Sequence, residues 1–246
     1  MIDFRGHLSS IALSADPRIA KAMTREADIR QALEQVTDAY GFHRFVVMVV
    51  PAKGSHSLSD SVVMTNWPKD FLVSYDAASL MAGSPVIERL RRSTIPFTYD
   101  TTLESRRRPD GKGSAVLSLF ERGRLRRGVY IPVHDVRGTC GAVGFGGDRE
   151  VVNSGELKEL TFVAAYLFSR LSEIGEIRNR APGGLSRREI ECLHWAAAGK
   201  TTTEMAKILD LSEYTVNHYL SRATRKLDSV NRVQTVAKAI RAGLIN

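Results

Sequence analysis

The chain has 246 residues, 43% of them hydrophobic, so it can bury full cores in one or two domains. Its formal net charge is +8, and +5 of this lies from Glu176 onward, where 12 Lys and Arg residues stand against 7 Asp and Glu residues. A concentrated basic excess predicts a polyanionic partner such as DNA. The longest apolar run, residues 45–50, is too short to cross a bilayer, so no membrane-spanning helix is expected.

Two further features predict a cytoplasmic protein. The first ten residues lack the basic and then apolar pattern of a signal peptide. Cys140 and Cys192 lie far apart, which is typical of reduced thiols rather than of a disulfide or a metal site. The six histidines are scattered singly, without the spacing of metal ligands, so no metal site is predicted.

The first 177 residues alternate between helical and strand patterns. Long helices are predicted at residues 16–41 and 154–177, and short helices at residues 68–79, 85–92 and 114–122. Strands are predicted at residues 43–50, 61–65, 95–99, 128–133 and 139–145, the last two as a hairpin. The turn-rich residues 101–112 are expected to form an exposed loop, and residues 1–16 either a short helix or an arm. Five mostly antiparallel strands between helices imply an α/β/α sandwich.

A short segment separates this region from the basic C-terminal part. Residues 178–184, with the sequence RNRAPGG, are predicted to be a linker, because glycine gives flexibility and Pro182 breaks regular structure. The domains would therefore be residues 1–177, a regulatory domain, and residues 185–246, a helical domain.

The helical domain begins with two capped helices. Ser186 and Glu189 form a capping box for a helix that ends at Gly199. Thr202 or Thr203 is expected to cap the second helix. Its predicted buried face consists of Met205, Ala206, Ile208 and Leu209.

Two more helices follow a turn at residues 210–212. The third helix is predicted from Glu213 to about Leu227, and the fourth from a capping box at residues 231–234 to a stop signal at Gly243. The apolar face of the third helix contains Val216, Tyr219, Leu220, Ala223 and Leu227. Its free face is polar and basic, with Asn217, His218, Ser221, Arg222, Arg225 and Lys226.

Two helices joined by a short turn, the second with a basic free face, are typical of a helix-turn-helix that inserts into the DNA major groove. A small helical bundle with a solvated basic face would show the same pattern. The order of residue types favours DNA binding, because it resembles the helix-turn-helix of the LuxR/FixJ family of bacterial transcription regulators. The matching positions are Leu185-Ser186-x-Arg188-Glu189-x-Glu191, Trp195-Ala196-Ala197-x-Gly199-Lys200-Thr201, Glu204-Met205-Ala206-x-Ile208-Leu209, Ser212-x-x-Thr215-Val216, Lys226-Leu227, Asn231-Arg232 and Ala237-x-Ala239-Ile240-x-x-Gly243-Leu244-Ile245.

The layout of the first domain resembles the ligand-binding domain of acyl-homoserine-lactone receptors in this family. The resemblance implies an α+β protein, with a GAF/PAS-like sandwich before a four-helix DNA-binding domain. It also implies a pocket at Trp67, Phe71, Tyr75, Ser84, Tyr99 and Gly128. Tyr75 and Gly128 match the family pattern.

The other pocket positions depart from that pattern. In the family, the position of Phe71 is normally a Trp that donates to the lactone carbonyl, and that of Ser84 an Asp that accepts from the ligand amide. Tyr99 stands where Trp is usual, and Trp67 where a Tyr often bonds the acyl carbonyl. These changes predict that an ordinary acyl-homoserine lactone is not the ligand. The pocket would then take another small molecule, be filled by its own side chains or serve only as core.

The resemblance also implies how DNA is contacted. Asn217, His218, Ser221 and Arg222 lie in the first exposed turns of the third helix and are the candidates for base edges. The residues expected to hold phosphates are Thr202, Thr203, Tyr214, Thr215, Arg225 and Lys226.

The expected assembly is a homodimer on double-stranded DNA, formed through the helix at residues 154–177 and the last helix, with a heterodimer of similar regulators as the alternative. Residues 53–60 and 106–112 would contact a partner such as RNA polymerase, or be solvated loops. The sequence contains no complete catalytic motif, so neither an enzyme nor a cofactor is predicted. A lactone-processing enzyme is the remote alternative. The predicted function is a quorum-sensing regulator or an orphan regulator, for example of motility or polysaccharide genes.

Overall fold

The structure, a computed structural model, describes residues 23–51, 55–136, 138–175, 177, 185–241 and 244–245. They divide into two compact units, an N-terminal one of helices and strands and a C-terminal one of helices. Within these described ranges, no helix is both long and apolar enough to cross a bilayer. The predicted arm or helix at residues 1–16, the linker at residues 178–184 and the stop signal at Gly243 lie outside them.

Five antiparallel strands form the centre of the N-terminal unit. They are β1 (Arg44–Val49), β2 (Val62–Thr65), β3 (Phe97–Asp100), β4 (Arg127–His134) and β5 (Cys140–Gly147). Their order across the sheet is β2-β1-β5-β4-β3. β4 and β5 pair from Arg127 opposite Gly147 to His134 opposite Cys140, so the predicted hairpin is confirmed.

The sheet separates two hydrophobic cores. Successive side chains of a strand point to opposite faces, and β1 follows this rule, because Phe45 and Val47 join one core while Val46 and Met48 join the other. The first core is covered by α1 (Glu26–Ala39) and α6 (Ser154–Glu173). The second is covered by α2 (Lys69–Ala77), α3 (Pro85–Leu90) and α5 (Gly113–Arg122). This arrangement confirms the predicted α/β/α sandwich.

Both long helices are shorter than predicted. Residues 23–25 are not helical, because the Asp28 carboxylate accepts from the Arg25 backbone N–H at 3.0 Å and sets the start of α1 at Glu26. Residues 16–22 lie outside the described ranges. α6 ends at Glu173 rather than at Ile177, since Gly175 adopts φ +89°, which a helix does not accommodate.

The prediction of an exposed loop at residues 101–112 is wrong for the first half of this range and for Arg108, whereas the rest of residues 107–112 form a mostly exposed turn. Residues Thr101–Arg106 form α4, which Asp100 caps by accepting from the Thr102 N–H at 2.8 Å. The Thr101 hydroxyl donates to the Arg126 carbonyl at 2.9 Å and ties the helix to the start of β4. Arg108, just beyond α4, is buried.

Four helices form the C-terminal unit, as predicted. They are α7 (Arg187–Ala197), α8 (Thr202–Leu209), α9 (Glu213–Lys226) and α10 (Arg232–Arg241). The core includes Leu193, Met205, Val216 and Ala239. Two details are corrected: Thr201, not Thr202 or Thr203, caps α8, and Ile208 is exposed rather than buried, because it lies on the outer side of that helix.

Candidate DNA-binding helix and ligand pocket

The exposed face of α9 is set by a local cap and by three buried residues. Ser212 precedes the helix, and its hydroxyl accepts from the Thr215 N–H at 3.0 Å. Val216, Leu220 and Ala223 are buried on one side. The opposite side is open to solvent and presents Tyr214, Asn217, His218, Ser221, Arg222 and Arg225. Tyr219, predicted as core, is half-buried.

The two helices of the helix-turn-helix are joined near their outer surface. The Thr202 hydroxyl donates to Asn217 Oδ1 at 3.3 Å, linking the first turn of α8 to the first turns of α9. At the turn between the helices, Asp210 adopts a left-handed conformation and the Leu211 N–H donates to the Ala206 carbonyl at 2.9 Å. The hydrogen bond from Thr202 therefore favours one orientation of the Asn217 amide in the free protein.

A fully buried carboxylate lies beneath the basic end of α9. Glu189 of α7 accepts from Lys226 Nζ at 2.7 Å and from the Ser186 N–H at 2.6 Å. Arg222 Nε lies 3.2 Å from Glu189 Oε1, an ion pair without an aligned hydrogen bond in the described residues. Burial alone would raise the pKa of Glu189, but the hydrogen bonds from Lys226 and Ser186 lower it below its ordinary value.

This network changes the roles assigned to two predicted DNA contacts. The Lys226 side chain is 28% exposed and the Arg222 side chain 45% exposed. Both side chains pair with Glu189 while remaining partly open to solvent. Arg222 is the more exposed of the two side chains, and the Lys226 ammonium donates a hydrogen bond to the carboxylate. Glu189 was predicted only as a capping residue, because its pairing with Lys226 spans 37 positions and leaves no local signal.

The capping box of α8 gives a pH-dependent contribution to stability. Hydrogen bonds from the Thr201 backbone and side chain, with a further one from Lys200, lower the pKa of Glu204 from 4.5 to about 2. A carboxylate with a lowered pKa stabilises the fold above its unfolded pKa and loses this effect as the pH falls through the folded one. We expect the melting temperature of the C-terminal unit to fall between about pH 4.5 and pH 2, and Glu204→Gln to flatten that part of the profile. An unchanged acid profile in the variant would contradict this assignment.

On the second face of the sheet lies an apolar cavity. The space between its lining side chains, together with open solvent at the mouth, amounts to about 540 Å³. Its lining residues are Met48, Leu58, Trp67, Tyr75, Ser84, Pro85, Val86, Ile87, Tyr99, Thr101, Glu104, Arg108, Val116, Phe120 and Tyr130. Four of the six predicted pocket residues, Trp67, Tyr75, Ser84 and Tyr99, line it, whereas Phe71 and Gly128 do not.

Phe71 and Gly128 support the cavity wall instead. The Phe71 ring packs edge-on against Trp67 at 4.8 Å between ring centroids and against Phe120 at 5.2 Å. Gly128 faces Tyr99 across the β3–β4 pair, and a Cβ there would lie 2.8 Å from Tyr99 Cε1 and 2.1 Å from the Phe145 carbonyl oxygen. Gly128 therefore shapes the pocket by giving room to the Tyr99 ring.

The polar groups that line the cavity differ in whether they have a hydrogen-bond partner among the described residues. The Tyr75 hydroxyl donates to the Leu80 carbonyl at 3.3 Å, and Ser84 Oγ accepts from the Ile87 N–H at 3.4 Å as the cap of α3. Trp67 is 7% exposed, and its Nε1 has no partner among the described residues. A buried N–H without an acceptor lowers the stability of the fold. Trp67 Nε1 is therefore a donor that an acceptor on a bound molecule would satisfy.

Several polar lining residues were missed by the sequence analysis. Arg108 has a side chain only 2% exposed and donates to the Leu80 carbonyl at 2.7 Å and to both oxygens of Asp110 at 3.0 and 2.6 Å. Its position in a turn-rich stretch, RRRPDGK, suggested solvent, and no local pattern distinguishes it from Arg106 or Arg107. Tyr130 of β4 lies 5.3 Å from Tyr99 between ring centroids. Burial raises the pKa of both tyrosines, so their hydroxyls stay protonated.

Comparison with known proteins identifies both units. Residues 25–171 match the autoinducer binding domain, and residues 184–239 match the bacterial regulatory proteins described as the luxR family. The chain belongs to the LuxR family. These matches confirm the predicted family, its helix-turn-helix and a role in transcription regulation.

Relatives of this LuxR-family protein are also similar over most of their length. The transcriptional activator AhyR of Aeromonas hydrophila is 33% identical over 214 residues, 84% of this chain and 80% of the relative. The quorum sensing-dependent regulator RpaR of Rhodopseudomonas palustris is 30% identical over 86% of each chain. Both are transcription regulators, as are the other curated relatives considered, which confirms the prediction that this chain is not an enzyme.

Solved structures show the same fold. Escherichia coli SdiA is 21% identical with a TM-score of 0.54, covering 93% of this chain and 96% of SdiA. SdiA in complex with octanoyl-rac-glycerol has a TM-score of 0.53, 21% identity and 91% coverage of both chains. The arrangement of an autoinducer-binding domain before a helix-turn-helix is therefore shared by this LuxR-family regulator.

Proposed function

We propose that this LuxR-family regulator acts as a homodimer that binds a roughly two-fold DNA site, with α9 of each protomer in a major groove. The observation that supports this best is the solvent-facing side of α9, where polar and basic residues lie on a helix fixed by Ser212 and Glu189. A rigid helix presents its side chains to base edges at a defined depth.

We assign base contacts to Asn217, His218, Ser221 and Arg222. Because Thr202 already orients the Asn217 amide, that side chain is suited to pairing with an adenine edge. Phosphate contacts are assigned to Thr202, Thr203, Tyr214, Thr215, Arg225 and Lys226. Among these, Lys226 also serves Glu189, so we expect its contribution to DNA affinity to be smaller than that of Arg225.

For the assembly we propose contacts through α6 and α10. Exposed apolar side chains on and before α10, Val230, Val233 and Ile240, support an association there. A heterodimer with a similar regulator is the alternative, and RNA polymerase is a proposed further partner. Since the DNA target is in the cytoplasm of a bacterium, the protein is proposed to act there.

We further propose that a small molecule in the cavity controls DNA binding, as in a quorum-sensing regulator. The unpaired Trp67 Nε1 argues against a pocket that is satisfied by its own side chains. Compared with the family pattern of Trp and Asp, Phe71 lacks the indole donor, and Ser84 offers a hydroxyl in place of a charged acceptor. A hydrogen bond to a charged group contributes about 1.5–3 kcal/mol, so an ordinary acyl-homoserine lactone should bind about a hundredfold more weakly than to a receptor with both groups.

The DNA-binding roles can be tested by selecting an operator from random duplexes and measuring affinity by fluorescence anisotropy. Arg225→Ala should weaken operator and random DNA alike and reduce the slope of log affinity against log salt by about 0.9. Asn217→Ala should change preference at one base pair by about 1–3 kcal/mol and leave random DNA unaffected. As a matched control, Arg106→Ala removes an exposed cation from the N-terminal unit and should leave both affinities unchanged. Equal losses on operator and random DNA in both α9 variants would refute the assigned roles.

A further inference from the structure

A short serine-rich segment closes one part of the cavity wall. Residues 57–61, with the sequence SLSDS, form a strap that lies between β1 and β2. Leu58 is 3% exposed and lines the cavity, whereas Ser57 and Ser59 on either side of it are partly exposed and Asp60 is exposed. The strap therefore has the cavity on one side and solvent on the other.

Asp76 of α2 holds the strap through four hydrogen bonds. Its carboxylate accepts from the backbone N–H of Leu58 at 2.7 Å and from that of Ser59 at 3.1 Å. It also accepts from the hydroxyl of Ser57 at 3.1 Å and from that of Ser59 at 2.5 Å. The two N–H groups flank the Leu58 Cα, so the carboxylate fixes the stretch of backbone that directs the Leu58 side chain into the cavity wall.

The other hydrogen bonds of the strap are local. The Ser61 and Val62 N–H groups both donate to the Leu58 carbonyl, at 2.9 and 3.2 Å. Among the residues that the structure describes, Asp76 is thus the only hydrogen-bond partner of the strap outside the strap itself and the strand that follows it.

Most of the cavity wall is held more firmly than the strap. Its lining residues lie mainly on strands and α-helices, whose backbone groups are bonded within those elements. The strap depends instead on one carboxylate and on the apolar packing of Leu58. Segments with few buried contacts open locally at a lower free energy than the elements of the core. The strap is therefore the part of the wall that opens most readily.

We propose that the strap is the entry to the cavity and that Asp76 is the positioning residue that keeps it closed. When the Asp76 contacts are lost, residues 57–61 move away from the wall while the rest of the N-terminal unit stays folded. This inference rests on the proposed control by a small molecule, and it names the route by which such a molecule reaches the cavity. Opening itself requires no ligand, because it also admits a small reagent.

The reactivity of a thiol placed inside the cavity tests the proposal. Val116→Cys puts a thiol on α5 in the cavity wall, and Val163→Cys puts a matched thiol on α6 in the other core. Both are made in the full chain with Cys140→Ser, which removes the exposed native thiol. Burial raises the pKa of Cys192 to about 11, so this remaining thiol should react slowly. Labelling of each position by iodoacetamide is followed by mass spectrometry.

Asp76→Asn should raise the labelling rate at position 116 by about tenfold or more, because the amide has one acceptor oxygen instead of two and no charge to strengthen its contacts. The rate at position 163 should change by less than about twofold, since the opening is local. Asp60→Asn is the matched control on the strap itself. It removes the same charge from a carboxylate with no hydrogen-bond partner among the described residues, so both rates should stay unchanged.

A purely structural role for Asp76 would give a different result. The whole unit would lose stability, and positions 116 and 163 would be labelled faster by the same factor. That outcome, or an unchanged rate at position 116, would overturn the proposal.

Operator binding measured on the same preparations separates this inference from the proposed function. A protein that binds its operator but shows equal labelling at positions 116 and 163 would refute the role of the strap alone. A protein with the expected labelling but no preference for any DNA sequence would refute the DNA-binding roles and leave the strap supported.

Discussion

Lys226→Met should destabilise the C-terminal unit by about 3 kcal/mol, because it leaves the fully buried Glu189 carboxylate without its main cation. Arg222 remains near Oε1 but without an aligned hydrogen bond, so it replaces little of the loss. The pKa of Glu189, now lowered by Lys226, should rise in the variant. Hydrogen exchange of the full chain, read by mass spectrometry over residues 187–226, measures the local stability directly.

As a control, a lysine charge can be removed from an exposed ion pair, where the expected loss of stability is small. Lys200 pairs with Glu204 at 3.2 Å, with both side chains well exposed, so Lys200→Met should cost less than about 1 kcal/mol. A double variant, Glu189→Gln with Lys226→Met, should be more stable than Lys226→Met alone, because it no longer buries an uncompensated charge. If the double variant is the less stable of the two, the electrostatic explanation is wrong.

Gly128→Ala should destabilise the N-terminal unit by about 3 kcal/mol or more. The added Cβ would lie 2.1 Å from the Phe145 carbonyl oxygen and 2.9 Å from Gly146 Cα, both in the backbone of the paired strand β5. Overpacking against side chains typically costs about 1–3 kcal/mol, and here the neighbours are backbone atoms that cannot rotate away. The Tyr99 ring would also be pushed toward the cavity. Urea unfolding followed by circular dichroism measures the loss.

Gly155→Ala serves as the matched control in the same unit. Its Cβ would meet Asn153 Oδ1 at 3.2 Å, and alanine favours a helix over glycine, so the net change should stay within about 1 kcal/mol. Equal stability of the Gly128 variant and the wild type would mean that β4 and β5 can separate locally at no cost. The role given to Gly128 in shaping the pocket would then fail.

The C-terminal helices could be predicted because their determinants are local. Capping residues such as Ser186 and Ser212 lie within three positions of the groups that they bind, and the apolar spacing of α9 specifies its buried side. The cap of α8 was misplaced by one or two residues, since Thr201, Thr202 and Thr203 are the same residue type and suit a cap equally well. The Glu189 network was missed because it depends on how α7 packs against α9.

The pocket was predicted less completely, for a related reason. The resemblance located Trp67, Tyr75, Ser84 and Tyr99, but Phe71 packs behind the wall and Arg108 contributes to it. Arg108 follows α4, and Thr101 at the start of that helix contacts the distant residues Leu125 and Arg126. Local composition predicted a solvated loop there, and tertiary contacts decided otherwise.

The alternation along β1 has a consequence for how such regulators diverge. Val46 and Met48 belong to the core that contains the pocket, while Phe45 and Val47, one position away, support α1 and α6. Because the backbone of the sheet separates these environments, substitutions that reshape the ligand side need not disturb the packing beneath α6, the helix proposed for dimerisation. Single substitutions on one face can therefore change the shape of the cavity while the packing on the other face stays the same.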